Sequence, residues 1–125
     1  MTVLVIDDED VIRMLAERIL SKAGHTVLAA RSGPDGIAIF REKSAQIGAV
    51  LLDASMPGLT GAETLRRLRE INPGLPCIFS SGSVNAETEL TGELRTTTWF
   101  LQKPYQAQKL SSMIDQIAAW STPAT

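Results

Sequence analysis

The stretch VLVIDDED, residues 3–10, runs four apolar residues straight into four acids. Val3, Leu4, Val5 and Ile6 are apolar on consecutive positions, not on every second one. A short run of that kind fits a strand covered on both faces, as in the centre of a parallel sheet layered by helices. The acids that follow repel one another unless something compensates. Glu9 and Asp10 fall in the first turn of the next helix, where the helix dipole favours negative charge. Asp7 and Asp8 need another partner.

Working outward, the alternation of apolar run and helical pattern recurs five times. Ile12, Leu15, Ala16, Ile19, Leu20 and Ala23 recur at helical spacing and predict a helix with one buried stripe. Gly24 stops it from the position after the cap. Residues 27–30 form a second run, followed by a helix with Ser32 as cap and Pro34 in its first turn. Residues 49–52 form a third run. Thr60 caps a helix carrying Leu65, Leu68 and Ile71, ended by Asn72, Pro73 and Gly74. Residues 77–79 form the fourth run, and a weaker helical pattern lies within 84–94. Residues 99–101 form the fifth, and a last helix carries Leu110, Met113, Ile114 and Ile117. Such alternation predicts an α/β fold: a flavodoxin-like, doubly wound, five-stranded parallel sheet of order 2-1-3-4-5 with five helices.

The first, third, fourth and fifth strands of that sheet end in polar residues: Asp7 and Asp8, Asp53, Ser80 and Ser81, and Lys103. Parallel strands place all these ends along one edge, and the first and third strands meet at the switch point where such folds bind ligands. Carboxylates roughly 5 Å apart repel by about 3 kcal/mol per pair at an effective dielectric of about 20. A hard divalent cation compensates, and Mg²⁺ suits the site because it takes one or two carboxylates, keeps waters and leaves room for phosphate oxygens. Helix capping alone accounts for Asp7 and Asp8 but leaves Asp53 and Lys103 unexplained.

The composition narrows the classes. The chain has 125 residues, 44% hydrophobic, with formal net charge −2. One domain over residues 1–120 with a loose tail at 121–125 suits that length. Nucleic-acid modules carry a basic patch. Here Arg66, Arg67 and Arg69 are balanced by Glu63 and Glu70 and read as a solvated helix face, so no nucleic acid is expected. The apolar runs are too short to span a bilayer, and no basic region precedes the first, so a cytoplasmic protein without membrane contact is expected. Cys77 reads as a buried, reduced thiol and His25 as a solvated residue at a strand start. No GxxxxGK[ST] or GxGxxG nucleotide loop is present.

With these residues in place, the sequence resembles the receiver domains of two-component response regulators over about residues 2–120. The matching features are Asp7-Asp8, LLDASMPGLTG at 51–61, SSG at 80–82 and FLQKPY at 100–105, each at the end of its expected strand. The string FLQKP is also similar to receivers of hybrid histidine kinases. The resemblance implies that Asp53 is the phosphoacceptor, and that Asp7 or Asp8, with Asp53 and the backbone carbonyl of Ser55, holds Mg²⁺. It implies that Lys103 pairs with Asp53 and then with its phosphoryl oxygens. Ser81 becomes the switch hydroxyl, Phe100 the aromatic whose rotamer follows it, and Lys103-Pro104 a cis peptide. Without the resemblance, Ser81 is a turn residue before Gly82 and Phe100 an ordinary strand aromatic.

The implied partner is a histidine kinase or a histidine phosphotransfer domain, and the implied state a monomer or a weak phosphorylation-dependent dimer. The domain alone is not an enzyme in the usual sense. It is expected to be a stand-alone receiver or the terminal receiver of a hybrid kinase. Val11, Met14 and Arg18 line the flank of the first helix that a partner's helix would touch, with Tyr105 bordering the same entrance. Two departures from the family pattern are the large Trp99 at the start of the fifth strand, where a small residue is usual, and Phe100 in place of the common tyrosine. Competing readings are an aspartyl-phosphate phosphatase-like enzyme, which needs a second Asp where Ser55 stands, a flavin carrier, which needs donors where the first loop offers acids, and a degenerate scaffold receiver, which the complete Asp, Ser and Lys set opposes.

Overall fold

The computed structural model describes residues 1–82 and 90–121. In chain order the elements are β1 (Thr2–Ile6), α1 (Asp10–Lys22), β2 (Thr26–Ala30), α2 (Gly33–Lys43), β3 (Ile47–Asp53), α3 (Gly61–Ile71), β4 (Cys77–Ser81), a 3-10 turn (Gly92–Arg95), β5 (Thr98–Gln102) and α4 (Ala107–Ser121). All strand pairs are parallel, in the order β2-β1-β3-β4-β5. That is the doubly wound sheet expected from the sequence. Four α-helices stand among the described residues; the expected helix within 84–94 falls mostly on residues outside them, and its described end is the 3-10 turn.

Consecutive apolar residues in β1 feed two different cores. Leu4 and Ile6 pack with Ile37, Phe40, Leu65 and Leu68 of α2 and α3. Val3 and Val5 pack with Ala16, Leu20, Leu110, Ile114 and Ile117 of α1 and α4. All four β1 residues are fully buried. Successive side chains of a strand point to opposite faces, so an unbroken apolar run is what a sheet covered on both sides requires. Each such side chain contributes about 1.5–3 kcal/mol on burial.

The helix ends follow from their local sequence. At the end of α1 the His25 N–H donates to the Leu20 carbonyl and the Gly24 N–H to that of Ser21, both at 3.0 Å. Gly24 adopts φ +93°, the left-handed conformation this closure needs. Ser32 caps α2 by accepting from the Asp35 N–H, and Thr60 forms a reciprocal capping box with Glu63 on α3.

Three expectations need correction. The buried stripe of α1 is narrower than its spacing suggested: Ala16 and Leu20 are buried, but Leu15 is 36% exposed and Ala23 is exposed. One residue is 100° of helix, so Leu15 rotates off the face that Ala16 presents to the sheet. His25 is not solvated. Its side chain is 10% exposed, with Nε2 3.6 Å from Asp115 Oδ1 and Nδ1 3.3 Å from the N-terminal nitrogen. Arg69 leaves the wet face of α3 and donates to the carbonyls of Leu75, Leu94 and Thr97 and to the hydroxyls of Thr97 and Thr98. The guanidinium supplies five donors in one fork, and it adds to the Cys77 N–H already on the Thr97 carbonyl and the Thr98 hydroxyl already on the Leu94 carbonyl. No helix of the described residues is long and apolar enough to cross a membrane.

Candidate acidic phosphoacceptor site

The edge at the carboxyl ends of β1, β3, β4 and β5 gathers the polar strand-end residues. Asp7 follows β1 directly and is fully buried; Asp53 ends β3 and is 3% exposed; Asp8 is exposed. One carboxylate oxygen from each of Asp7, Asp8 and Asp53 lies within 4.8 Å of the other two. Gly61 is what lets α3 come this close: a Cβ there would sit 2.5 Å from the Asp53 carbonyl oxygen and 2.7 Å from Ala54 Cα.

Asp7 is held by its surroundings. Its Oδ1 accepts from the Glu9 N–H at 2.9 Å, and its carbonyl accepts from Arg13 Nη1 at 2.8 Å. Arg13 also pairs with Asp10. Glu9 is the N-cap of α1 and Asp10 its first residue. The Asp53 carboxylate accepts from the Ser55 N–H at 3.2 Å.

Lys103 places an ammonium among them. Its Nζ lies 2.8 Å from Asp7 Oδ2, 3.3 Å from Asp53 Oδ1 and 3.8 Å from Glu9 Oε1. The Lys103 N–H donates to the Ser81 carbonyl at 2.8 Å, which docks the end of β5 on the end of β4. The Lys103-Pro104 peptide is cis, as the resemblance to receiver domains implied. Ser81 is buried at the end of β4. Phe100 is partly buried, and its ring meets that of Phe79 edge-on, with centroids 6.2 Å apart and planes at 84°.

The electrostatics show how tight the cluster is. Burial pushes the Asp53 carboxyl up to about 6, helped by the Asp7 charge and opposed by the Ser55 N–H and by Lys103. Burial disfavours the Lys103 charge, but its contact with Asp7 and the charges of Asp53 and Asp7 outweigh that and raise its pKa. One ammonium cannot neutralise three carboxylates. Asp7 Oδ2 is buried and, although Lys103 Nζ is within hydrogen-bonding distance, the contact lacks hydrogen-bonding direction. An all-oxygen donor set with an unsatisfied buried oxygen fits a hard divalent cation.

Two parts of the site escaped the sequence. Tyr105 does not border the entrance. It is buried, with its hydroxyl 3.1 Å from Ser80 Oγ, because the turn after Lys103 folds it under the sheet edge. Arg13 carries no family motif, yet it reaches the Asp7 carbonyl from the second helical turn. Trp99, conspicuous by its size, is only partly buried and packs against the α1/α4 layer.

Comparison with known proteins agrees with this geometry. The response regulator receiver domain family matches residues 3–115. The chain is 32% identical over 116 residues to the sensor kinase CckA of Brucella abortus, covering 93% of this chain and 12% of that protein. It is 32% identical over 133 aligned positions to the sensory/regulatory protein RpfC of Xanthomonas campestris pv. campestris, covering 100% of this chain and 18% of that protein. The chain therefore spans less than a fifth of the length of these two relatives. The crystal structure of a response regulator receiver domain protein from Clostridium thermocellum matches with a TM-score of 0.87 at 32% identity, covering 95% of this chain and 94% of that one. A sheet with its acids gathered at the carboxyl edge and a sequence match over nearly its whole length agree: the chain belongs to the response regulator receiver domain family of two-component signalling.

Proposed function

We propose that this receiver takes a phosphoryl group from a phosphohistidine, on a histidine kinase or a histidine phosphotransfer domain, onto Asp53. The observation that carries this is the convergence of Asp7, Asp8 and Asp53 within 4.8 Å around a single lysine. A carboxylate oxygen of Asp53 attacks phosphorus, the P–O bond forms as the P–N bond breaks, and the released imidazole takes a proton from water. With a small donor such as acetyl phosphate, acetate is the leaving group. Lys103, between Asp7 and Asp53, suits the role of neutralising charge on the transferring phosphoryl oxygens. Asp7, Asp8, Asp53 and the Ser55 carbonyl would hold Mg²⁺, which when bound neutralises carboxylate and phosphoryl charge.

After transfer, Ser81 donates its hydroxyl to the new phosphoryl group, and Phe100 turns into the space this opens. Ser81 and Phe100 lie on adjacent strands, and Phe100 is the register partner of Phe79, two residues before Ser81. The domain works as a relay module in the cytoplasm, as a monomer or a weak phosphorylation-dependent dimer, over residues 1–120. The phosphatase-like alternative lacks its acid/base carboxylate, since Ser55 occupies the place and offers Asp53 its backbone N–H.

Intact-mass measurement after incubation with acetyl phosphate and Mg²⁺ tests the proposal. Wild type should gain one phosphoryl group and Asp53→Asn none. Equal labelling of both proteins would remove Asp53 from the role, and no labelling of wild type from any donor would favour a scaffold.

A further inference from the structure

Beside the acids lies a buried polar pair with no part in the chemistry so far. Ser80 is the register partner of Asp53 and is fully buried. Its hydroxyl donates to the Leu52 carbonyl at 3.3 Å. The same hydroxyl lies 3.1 Å from Tyr105 Oη, and either oxygen can donate in that bond. The phenol stays protonated, because burial above all pushes its pKa up to about 12.

The position of this bond gives it a consequence. Lys103 lies two residues before Tyr105. Its own N–H is bound to Ser81, so the segment from 103 to 105 is fastened to two adjacent residues of β4, once by backbone and once by side chains. Between those fastenings the Lys103 side chain reaches Asp7 and Asp53. Cutting one fastening frees the segment to turn about the other.

We propose that the Ser80–Tyr105 hydrogen bond is a positioning latch that holds the Lys103 ammonium over Asp7 and Asp53 and thereby sets the rate at which Asp53 is phosphorylated. The rate clause rests on the phosphoacceptor role proposed above; the placement of Lys103 does not. Tyr105 touches no reacting atom and acts only through Lys103.

The test uses Tyr105→Phe, Ser80→Ala and the double variant, each with two readouts. The first is the initial rate of Asp53 labelling by acetyl phosphate with Mg²⁺. The second is acylation of Lys103 by N-hydroxysuccinimidyl acetate, mapped by mass spectrometry against the exposed Lys109 as internal reference. The net strength of one hydrogen bond corresponds to roughly three- to tenfold in an opening equilibrium, so labelling should fall and the Lys103:Lys109 acylation ratio should rise by about that factor in each single variant. The double variant should go no further than the more affected single one, because both substitutions remove the same bond. Ser80→Thr, which keeps the hydroxyl, should return the ratio to the wild-type value. A lowered melting temperature with labelling rate and acylation ratio both unchanged would make the pair mere packing and overturn the latch. If Tyr105→Phe fails to fold, Ser80→Ala against Ser80→Thr decides: equal acylation ratios overturn the proposal. Unlabelled wild type with a raised Lys103 ratio in the variants would refute the phosphoacceptor role and the rate clause, while leaving the placement of Lys103 standing.

Discussion

Replacing Asp53 by Asn should stabilise the metal-free fold at neutral pH, and the gain should depend on pH in a defined way. An ordinary carboxyl of this type titrates at 3.8, and in the folded chain Asp53 titrates at about 6. The folded-state value lies above the unfolded one, so between these values the folded chain holds a proton that the unfolded chain releases. The burden of the charged carboxylate is absent below the unfolded value, grows as pH rises through the window, and is complete above about 6. A gap of about two units is worth roughly 3 kcal/mol at about 1.36 kcal/mol per unit, and water at the rim of the site reduces this to about 2–3 kcal/mol. Asparagine has the same shape and no titration. The stability of Asp53→Asn minus that of wild type, in EDTA, should therefore rise by about 2–3 kcal/mol from pH about 4 to pH about 7, or roughly 10 °C in melting temperature. Urea unfolding at several pH values gives the difference curve directly. A difference that stays flat across the window, or that falls with rising pH, would refute the account of the site as strained by its own charge. Millimolar Mg²⁺ should narrow the gap at pH 7, since it relieves the wild-type charge and finds one carboxylate fewer in the variant.

Three further outcomes follow from the same geometry. Mg²⁺ at a hundredfold excess over its dissociation constant should add about 2.7 kcal/mol to wild-type stability, and Asp8→Ala, at an exposed position, should lose most of that gain in thermal melts. Met14→Asp should slow transfer from the cognate kinase by at least about tenfold, about 1.4 kcal/mol in barrier, with acetyl phosphate labelling nearly unchanged, because Met14 and Val11 are 62% and 74% exposed on the flank of α1 next to the acids; equal loss with both donors would indicate a damaged site. Arg69→Met should cost about 1–3 kcal/mol by taking the side-chain donor from the Leu75 carbonyl and one of two donors from the Leu94 and Thr97 carbonyls, read as a drop in urea midpoint with Mg²⁺ affinity retained.

The order of strands and the gathering of Asp7, Asp8, Asp53 and Lys103 were legible in the sequence because both follow from periodicity. Consecutive apolar residues in β1 and β3 mark buried parallel strands, and parallel strands align their ends. The hidden parts depend on loops. Whether Tyr105 faces solvent or the core is decided by the turn after Lys103, which no repeat encodes. Arg69 read as a surface charge because its neighbours Arg66 and Glu70 are; that it bends inward depends on three carbonyls supplied from residues up to 28 positions away. His25 likewise finds its partners at Met1 and Asp115, at the two ends of the domain.

The division of β1 between two cores has a consequence for how the acids keep their place. Val3 and Val5 fill one layer, and the longer Leu4 and Ile6 fill the other. A slip of β1 by one residue against β3 would advance Asp7 by about 3.3 Å, turn it to the opposite face and exchange small side chains for large ones in both layers at once. Volume mismatch in the interior thus acts as a vernier for the edge: the setting of the acidic cluster is read from the sizes of four aliphatic side chains, none of which touches a phosphoryl group.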